Sequence, residues 1–484
     1  MKEYFKKKHV IIIYPLPGKD SYANTLPLGP LYLAESLIKQ NFFISILDGS
    51  VESIIKSVKM NFSYNTVAFA ISSMSGTQLK NSISIAKELK KIYPNLPVIF
   101  GGAHSTALPL QTLEADYIDY VVWGEGEISL PLLINSICFK DDPSKIKGIG
   151  FKSNGKAIIT EKSDYTLLNR IFNLPYHLLD MTKYSRKMMI GVQKNYYIFT
   201  SRGCPFNCHF CSNSSSIWPN NRIRYHTIQH ILNDISVLVD EYGADSITIG
   251  DENFFINHAR IIEVCNALIQ NGFNKKIKFR GSGRADFFAN MPSHIWELLI
   301  ETGFIALSVG IESGSQRVLD IMGKGITSDQ IYKTDKLLTE YNLYKTYNFM
   351  TCVPGESIED LNLTLRLIID LARTSKYCPY PFGTLNKYIP LPGTKLFNIV
   401  VKEYGFKSPT TIEGWTNFDF QDFNISINNV RPWLSGQLLQ YVDEANQHIE
   451  DLNNLFIGKD REDKKIEMQI EKISQFISSG RLFQ

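Results

Sequence analysis

The sequence lacks several things, and each absence excludes a class of protein. No apolar stretch in its 484 residues approaches the ~20 needed to span a bilayer. Lys6-Lys7-Lys8 followed by Val10–Ile13 begins like a secretory leader, but the apolar run breaks at Pro15 and Pro17 and no small-residue cleavage site follows. Charge of one sign is also missing. A net charge of +3 offers no electrostatic case for nucleic acid or a membrane surface as partner. There is no disulfide framework: the cysteines number seven, an odd count, and three of them fall within eight positions. That usage suits a reducing, cytoplasmic setting. No internal repeat or low-complexity segment is found. What remains, 44% hydrophobic and 20% charged residues, is the composition of a globular chain with real cores. Its length calls for two to four units.

Short apolar runs alternate with helical patterns over the first 130 or so residues. Strands are expected at His9–Tyr14, Phe42–Leu47, Thr66–Ser72, Pro97–Phe100 and Tyr117–Trp123. The runs are nearly continuous, as strands of a parallel sheet buried on both faces should be. Leu79, Ile83, Ala86 and Leu89 form the stripe of an amphipathic helix between the third and fourth. The fold class is α/β: a doubly wound, flavodoxin- or Rossmann-like sheet over 1–140, with its ligand at the carboxyl ends of the strands. A connector is expected over 141–190, with a small hairpin at Ile149–Phe151 and Ala157–Ile159 around Asn154-Gly155. A second series has strands at Tyr196–Thr200, Ser246–Ile249, Ile277–Ser282, Ile305–Gly310, Thr346–Thr351 and Gly383–Tyr388. Helical patterns such as Ile228–Tyr242 and Leu361–Ala372 separate them. Six strand–helix repeats over 191–400 describe a six-stranded partial barrel of the TIM type, open at the mouth. A mainly helical region, 401–484, follows; its Lys459–Gln475 pattern is a solvated face.

The strongest signal is the loop after the first barrel strand, Thr200-Ser201-Arg202-Gly203-Cys204-Pro205-Phe206-Asn207-Cys208-His209-Phe210-Cys211. Thiolates are the ligands of iron–sulfur clusters, and four usually serve one four-iron cube. Three leave one iron open to a ligand from outside the protein. Two other readings stand beside this one: zinc held by the cysteines with His209 as fourth ligand, and three buried cysteines without a chemical role.

The C-x3-C-x2-C loop, with aromatic Phe210 before its last cysteine, resembles the signature of the radical S-adenosylmethionine superfamily. The resemblance implies a 4Fe-4S cluster on Cys204, Cys208 and Cys211 whose open iron is chelated by S-adenosylmethionine. It also implies an electron donor such as flavodoxin or ferredoxin, and a 5′-deoxyadenosyl radical that removes hydrogen from a small-molecule substrate. Further matches end successive strands. Gly250-Asp251-Glu252-Asn253 resembles the segment that receives the methionyl amine. Ser282 and Arg284 end the third strand and Glu312-Ser313 the fourth, all candidates for S-adenosylmethionine, with Glu312 the candidate ribose contact. Gly355 and Pro390 resemble positions beside the adenine.

The first domain resembles the cobalamin-binding domain that precedes the barrel in one class of these enzymes. The matching residues are Leu28–Ala34, Gly101-Gly102-Ala103-His104 and Gly124-Glu125-Gly126-Glu127, and the small-residue loop Ser72-Ser73 at another strand end is a further candidate contact. The loop Pro15–Pro27 departs from the usual pattern by having no histidine to coordinate cobalt. His104 is therefore a cobalt ligand, a packed residue or a nucleotide contact, and the domain either holds cobalamin or has lost it. With both cofactors the resemblance implies methyl transfer to an unactivated carbon of a small-molecule or natural-product substrate. The alternatives are oxidative cyclisation or ring rearrangement without methyl transfer, and a sensor without turnover. Tyr344, Tyr347 and Trp415 are either core or pocket lining, and Cys265, Cys352 and Cys378 lie outside the cluster loop.

Overall fold

A computed structural model describes residues 7–16, 25–170, 172–185, 191–213, 217–218, 222–375, 381–418, 431–456 and 463–479. Cys378, positions 17–24 of the histidine-free loop, the end of the expected connector and the start of the Lys459–Gln475 pattern lie outside them. The chain forms two compact units, one of 1–185 with 407–425, the other of 186–406 with 426–484.

The first unit is built on β1 (His9–Pro15), β2 (Phe43–Gly49), β3 (Thr66–Ser72), β4 (Val98–Gly101), β5 (Tyr120–Val122), β6 (Ile149–Ser153) and β7 (Lys156–Ile159). Their order is β2-β1-β3-β4-β5-β6-β7. The first five run parallel, and the last two join antiparallel. This is the doubly wound order expected, with a hairpin added at one edge. Val10 to Ile13 are at most 2% exposed, since helices such as Leu28–Lys39 and Thr77–Ile92 cover the sheet. A mostly parallel sheet covered this way leaves no face for polar side chains.

The expected connector is different in the structure. Its hairpin extends the sheet through Tyr120↔Phe151 and Val121↔Gly150. Arg170 grips buried Glu35 with two bonds, 2.7 and 2.9 Å, and stacks 3.8 Å from the Phe172 ring centroid. Residues to Ser185 thus belong to the first unit, as does Lys407–Phe418, which was expected in the helical C-terminal region. There Trp415 is fully buried. Its Nε1 donates to Gln111 Oε1 (2.8 Å), and its carbonyl accepts from Gly76 N (3.0 Å).

The second unit carries β8 (Asn195–Ile198), the short β9 (Ser201–Arg202) and β10 (Arg224–Tyr225), then β11 (Ser246–Ile249), β12 (Lys278–Arg284), β13 (Phe304–Glu312), β14 (Tyr344–Thr351) and β15 (Phe382–Lys387). Six of these strands form one all-parallel sheet, β15-β14-β13-β12-β11-β8, the expected partial barrel. Helices capped by Thr227, Thr327 and Ser357 connect them. Burial alternates along β13 and β14. Phe279, Val309, Tyr347 and Phe349 are buried, whereas Ser282, Ser308, Thr346 and Asn348 reach solvent, so one face of the half-barrel is open and polar. Tyr347 is therefore core, its hydroxyl donating to Asp335.

The edge of β15 is covered by the helix Gly436–Asn454. Asn453 Oδ1 accepts from Phe382 N (3.1 Å) and its Nδ2 donates to Phe382 O (2.7 Å). Asn446 Oδ1 accepts from Leu385 N (2.8 Å). An amide side chain offers the same donor and acceptor as a peptide, so two asparagines stand in for a seventh strand. Among the described residues no helix is long and apolar enough to cross a membrane.

Candidate functional site

The cysteine loop leaves β8 at the carboxyl-end rim. Cys208 is buried, and Cys204 and Cys211 are half-buried. Cys211 N donates to Cys208 O (3.1 Å), and Asn213 N to Cys211 Sγ (3.4 Å). Burial raises the Cys204 thiol pKa; Cys208 and Glu252 add to this, and Arg284 opposes it. Burial pushes Cys211 up to about 11, with Cys208 and Cys204 adding and Lys324 opposing. Cys208 is thus close enough to act on the ionisation of both Cys204 and Cys211. Among the described residues no trio of His, Cys, Asp and Glu gathers around a single-ion site. A cube would take each thiolate on a separate iron.

His209 is excluded as a ligand by its own bonds. Its Nδ1 lies 2.7 Å from the carbonyl of Ile321, which can only accept, so Nδ1 carries the proton. Nε2 is left to accept from Lys395 Nζ at 2.9 Å. His209 N also donates to Met322 O (2.8 Å) and its carbonyl accepts from Leu396 N (2.8 Å), so this residue ties the cysteine loop to the end of the helix Gln316–Ile321 and to the start of the helix Lys395–Glu403. The ring rests on Gly323, where a Cβ would come within 2.6 Å of Nε2.

A charged network lies beside the loop. Arg284, last residue of β12, donates from Nε and Nη2 to both oxygens of Asp286 (3.0 and 3.1 Å) and from Nη2 to Lys324 O (2.6 Å). Its Nη1 lies 3.6 Å from Cys208 Sγ, and its Cζ lies 4.0 Å from the Phe206 ring centroid. Lys324 Nζ pairs with Glu312 Oε1 at 2.7 Å, both side chains largely buried. Glu312 sits where the β13–β14 register shifts, with φ +70, a left-handed conformation costly for any residue but glycine. Strain and a bulge together re-aim its carboxylate. Lys324 was not read from the sequence. The available signal was Gly323-Lys324-Gly325, a cation between two glycines, both at positive φ.

The other strand-end candidates divide into exposed groups and fasteners. Glu252 and Ser282 reach solvent, and Phe210 is half-exposed. Asp251 instead is fully enclosed and accepts from Thr200 N (2.6 Å), Thr200 Oγ1 (2.5 Å) and Ser201 Oγ (2.6 Å), fastening β11 to the chain after β8. Burial raises its pKa against these bonds. Ser313 is likewise spent: its Oγ meets Thr364 Oγ1 at 3.1 Å and accepts from Ser315 N. Gly250 is packed against Phe199, Pro390 is buried, and Gly355 is exposed at φ +83 with its carbonyl accepting from Arg317 Nη2 (2.7 Å). Asn253, fully buried, has neither amide atom hydrogen-bonded, which leaves a donor and an acceptor for a ligand.

In the first unit, Ser73 Oγ donates to Gly101 O (2.8 Å) and meets Ser105 Oγ (2.8 Å), and Ser72 O accepts from Ser82 Oγ. Gly102 has φ +98, and a Cβ there would lie 2.7 Å from Ser73 O, so only glycine fits. His104 is buried with Nδ1 2.9 Å from Ser75 Oγ, its ring 6.1 Å from that of Trp415, and Nε2 without a hydrogen-bond partner. Burial lowers its pKa to about 4, so it is neutral. Gly124 N donates to Thr106 Oγ1 (3.0 Å). Glu125 is turned away onto Thr166 N (2.7 Å). A buried, neutral, unsatisfied imidazole nitrogen among glycine and serine loops suits a large ligand with a hydrogen-bonding edge.

Residues 198–368 match the Radical SAM superfamily and residues 19–134 the B12 binding domain. An uncharacterized methyltransferase of Pyrococcus horikoshii is 31% identical over 375 residues, covering 75% of this chain and 78% of that one. The anaerobic magnesium-protoporphyrin IX monomethyl ester cyclase of Cereibacter sphaeroides is 28% identical over 64% of this chain and 52% of its own. The fold is shared with the radical S-adenosylmethionine methyltransferase TsrM from Kitasatospora setae, at TM-score 0.66 and 14% identity over 98% of this chain and 99% of that one. A B12-binding sheet, a cysteine loop at the rim of a partial barrel and a relative matched over most of both lengths lead to one assignment: the chain belongs to the radical SAM superfamily of enzymes, in the cobalamin-binding class, whose cofactors are a 4Fe-4S cluster, S-adenosylmethionine and cobalamin.

Proposed function

We propose that this enzyme transfers a methyl group to an unactivated carbon of a small-molecule substrate. The observation that carries the reading is the pairing, in one chain, of a three-thiol loop on an open polar half-barrel with a glycine–serine loop set at the carboxyl end of a B12-type sheet. When bound, the cluster supplies one electron and an iron free of protein ligands, and cobalamin supplies a methyl carrier. Cys204, Cys208 and Cys211 would hold the cluster. Glu252, Glu312 and Lys324 place two carboxylates and an ammonium group around the loop, complementary to the amine, ribose hydroxyls and carboxylate of S-adenosylmethionine. Phe210 offers an apolar face beside them. Ser73, Gly102 and His104 would receive cobalamin, with His104 Nε2 directed to its nucleotide tail. The half-buried residues of the inner wall, Ser308, Thr346 and Asn348, are small and polar, and they suit a polar substrate held close to the reacting centre.

Anaerobic reconstitution with iron, sulfide and cobalamin, followed by product analysis with a reductant and candidate substrates, tests this. Methyl transfer by this route gives S-adenosylhomocysteine and 5′-deoxyadenosine in comparable amounts. 5′-Deoxyadenosine alone supports oxidative cyclisation, the second reading, which the cyclase relative keeps in view.

A further inference from the structure

Arg284 reads from the sequence as a residue for S-adenosylmethionine, but its bonds leave it little capacity for that. Nε and Nη2 are consumed by Asp286 and by the Lys324 carbonyl. The guanidinium plane is stacked on Phe206, inside the cysteine loop. The residue is 8% exposed, and its remaining nitrogen, Nη1, points at Cys208 Sγ. We propose that Arg284 is a positioning residue for the cluster, donating a charge-assisted hydrogen bond to the Cys208 thiolate and thereby setting how readily the cluster takes up its electron. This rests on the reading of Cys204, Cys208 and Cys211 as cluster ligands.

The physical chain is short. Arginine stays protonated at any working pH. Gaining one electron from a low-potential donor makes the cluster more negative. A cation and an N–H donor at a ligand sulfur favour the more negative state, because hydrogen bonds to sulfur and local charge set cluster potentials. Asp286 works in the opposite direction, partly neutralising the guanidinium while fixing its plane. The orientation is over-determined, since a carboxylate, a carbonyl and an aromatic face all hold one side chain.

The test is an electron-paramagnetic-resonance redox titration of the anaerobically reconstituted protein and of Arg284→Gln, Arg284→Lys and Asp286→Asn, with iron and sulfide counted for each. Arg284→Gln is expected to make cluster reduction about tenfold less favourable, a midpoint lower by about 59 mV for one electron. Arg284→Lys falls between, and Asp286→Asn shifts the midpoint upward. S-adenosylmethionine binding to the oxidised cluster protein, by equilibrium dialysis, stays unchanged in Arg284→Gln. A wild-type midpoint in Arg284→Gln at full cluster content overturns the inference. Lost S-adenosylmethionine binding with an unmoved midpoint does so too, and returns Arg284 to that ligand. If Arg284→Gln holds no cluster, the sign in Asp286→Asn decides: a rise supports the electrostatic role, and no change or a fall defeats it. Absence of a cluster from the wild-type protein would instead defeat the ligand reading beneath.

Discussion

Both units end a parallel sheet in a rim of loops, and the two rims are made of different chemistry. In the first, Ser73, Gly101, Gly102, Ser105 and His104 are small or neutral and bond mainly to one another. In the second, three thiols share the rim with Arg284, Asp286, Lys324 and strained Glu312. A broad ligand needs backbone brought close and little charge in its way, which glycine provides. A metal cluster with a zwitterionic partner needs ligands and counter-charges fixed in place. One device, the carboxyl end of parallel strands, serves shape recognition in one unit and charge recognition in the other.

The sharpest way to break this comparison is to remove the thiols. Replacing Cys204, Cys208 and Cys211 by alanine should abolish the cluster absorbance and reduce S-adenosylmethionine cleavage to background, while cobalamin still binds; simultaneous loss of cobalamin would mean that the rims are not independent. Next in size is Glu312→Gln, which strands the Lys324 ammonium and should cost about 3–5 kcal/mol, more than Glu312→Gln combined with Lys324→Met. Denaturant midpoints compare the two. Acid probes the neutral rim. His104 stays unprotonated in the fold down to about pH 4, whereas the unfolded chain takes up the proton near 6.5. Stability therefore falls as pH drops through that window, by up to ~3 kcal/mol, and His104→Gln should flatten that limb in denaturation at pH 5 against pH 7.5. The smallest effect is expected from Gly102→Ala, about 1–3 kcal/mol from its left-handed backbone and the Ser73 contact. Here cobalamin retention should drop while iron content holds.

Much of this architecture was readable because both sheets obey simple burial rules. Thr66–Ser72 and Ser246–Ile249 have the bounds that their apolar runs indicate, and six strand–helix repeats make the six-stranded sheet. The hairpin at Ile149–Ile159 was visible as a hairpin but not as a sheet edge, because its pairing with Val121 is a long-range choice. Side-chain direction was the other hidden quantity. Asp251, Ser313 and Glu125 look like Glu252 and Ser282 in sequence, all polar residues after strands or at their ends, yet the first three fasten neighbouring backbone or side chains. Lys324 lies twelve residues beyond Glu312, and the intervening helix Gln316–Ile321 with the turn that closes it brings the two together.

The return of Lys407–Phe418 to the first unit has a consequence for biogenesis. A ribosome releases the sheet of β1 to β7 more than two hundred residues before Trp415 is translated, so Gln111 and the Gly76 amide leave the exit tunnel without the partners they have in the finished protein. The nascent sheet must wait until that later segment is made, and a chain ended after Ser185 would present that wait as a permanent state.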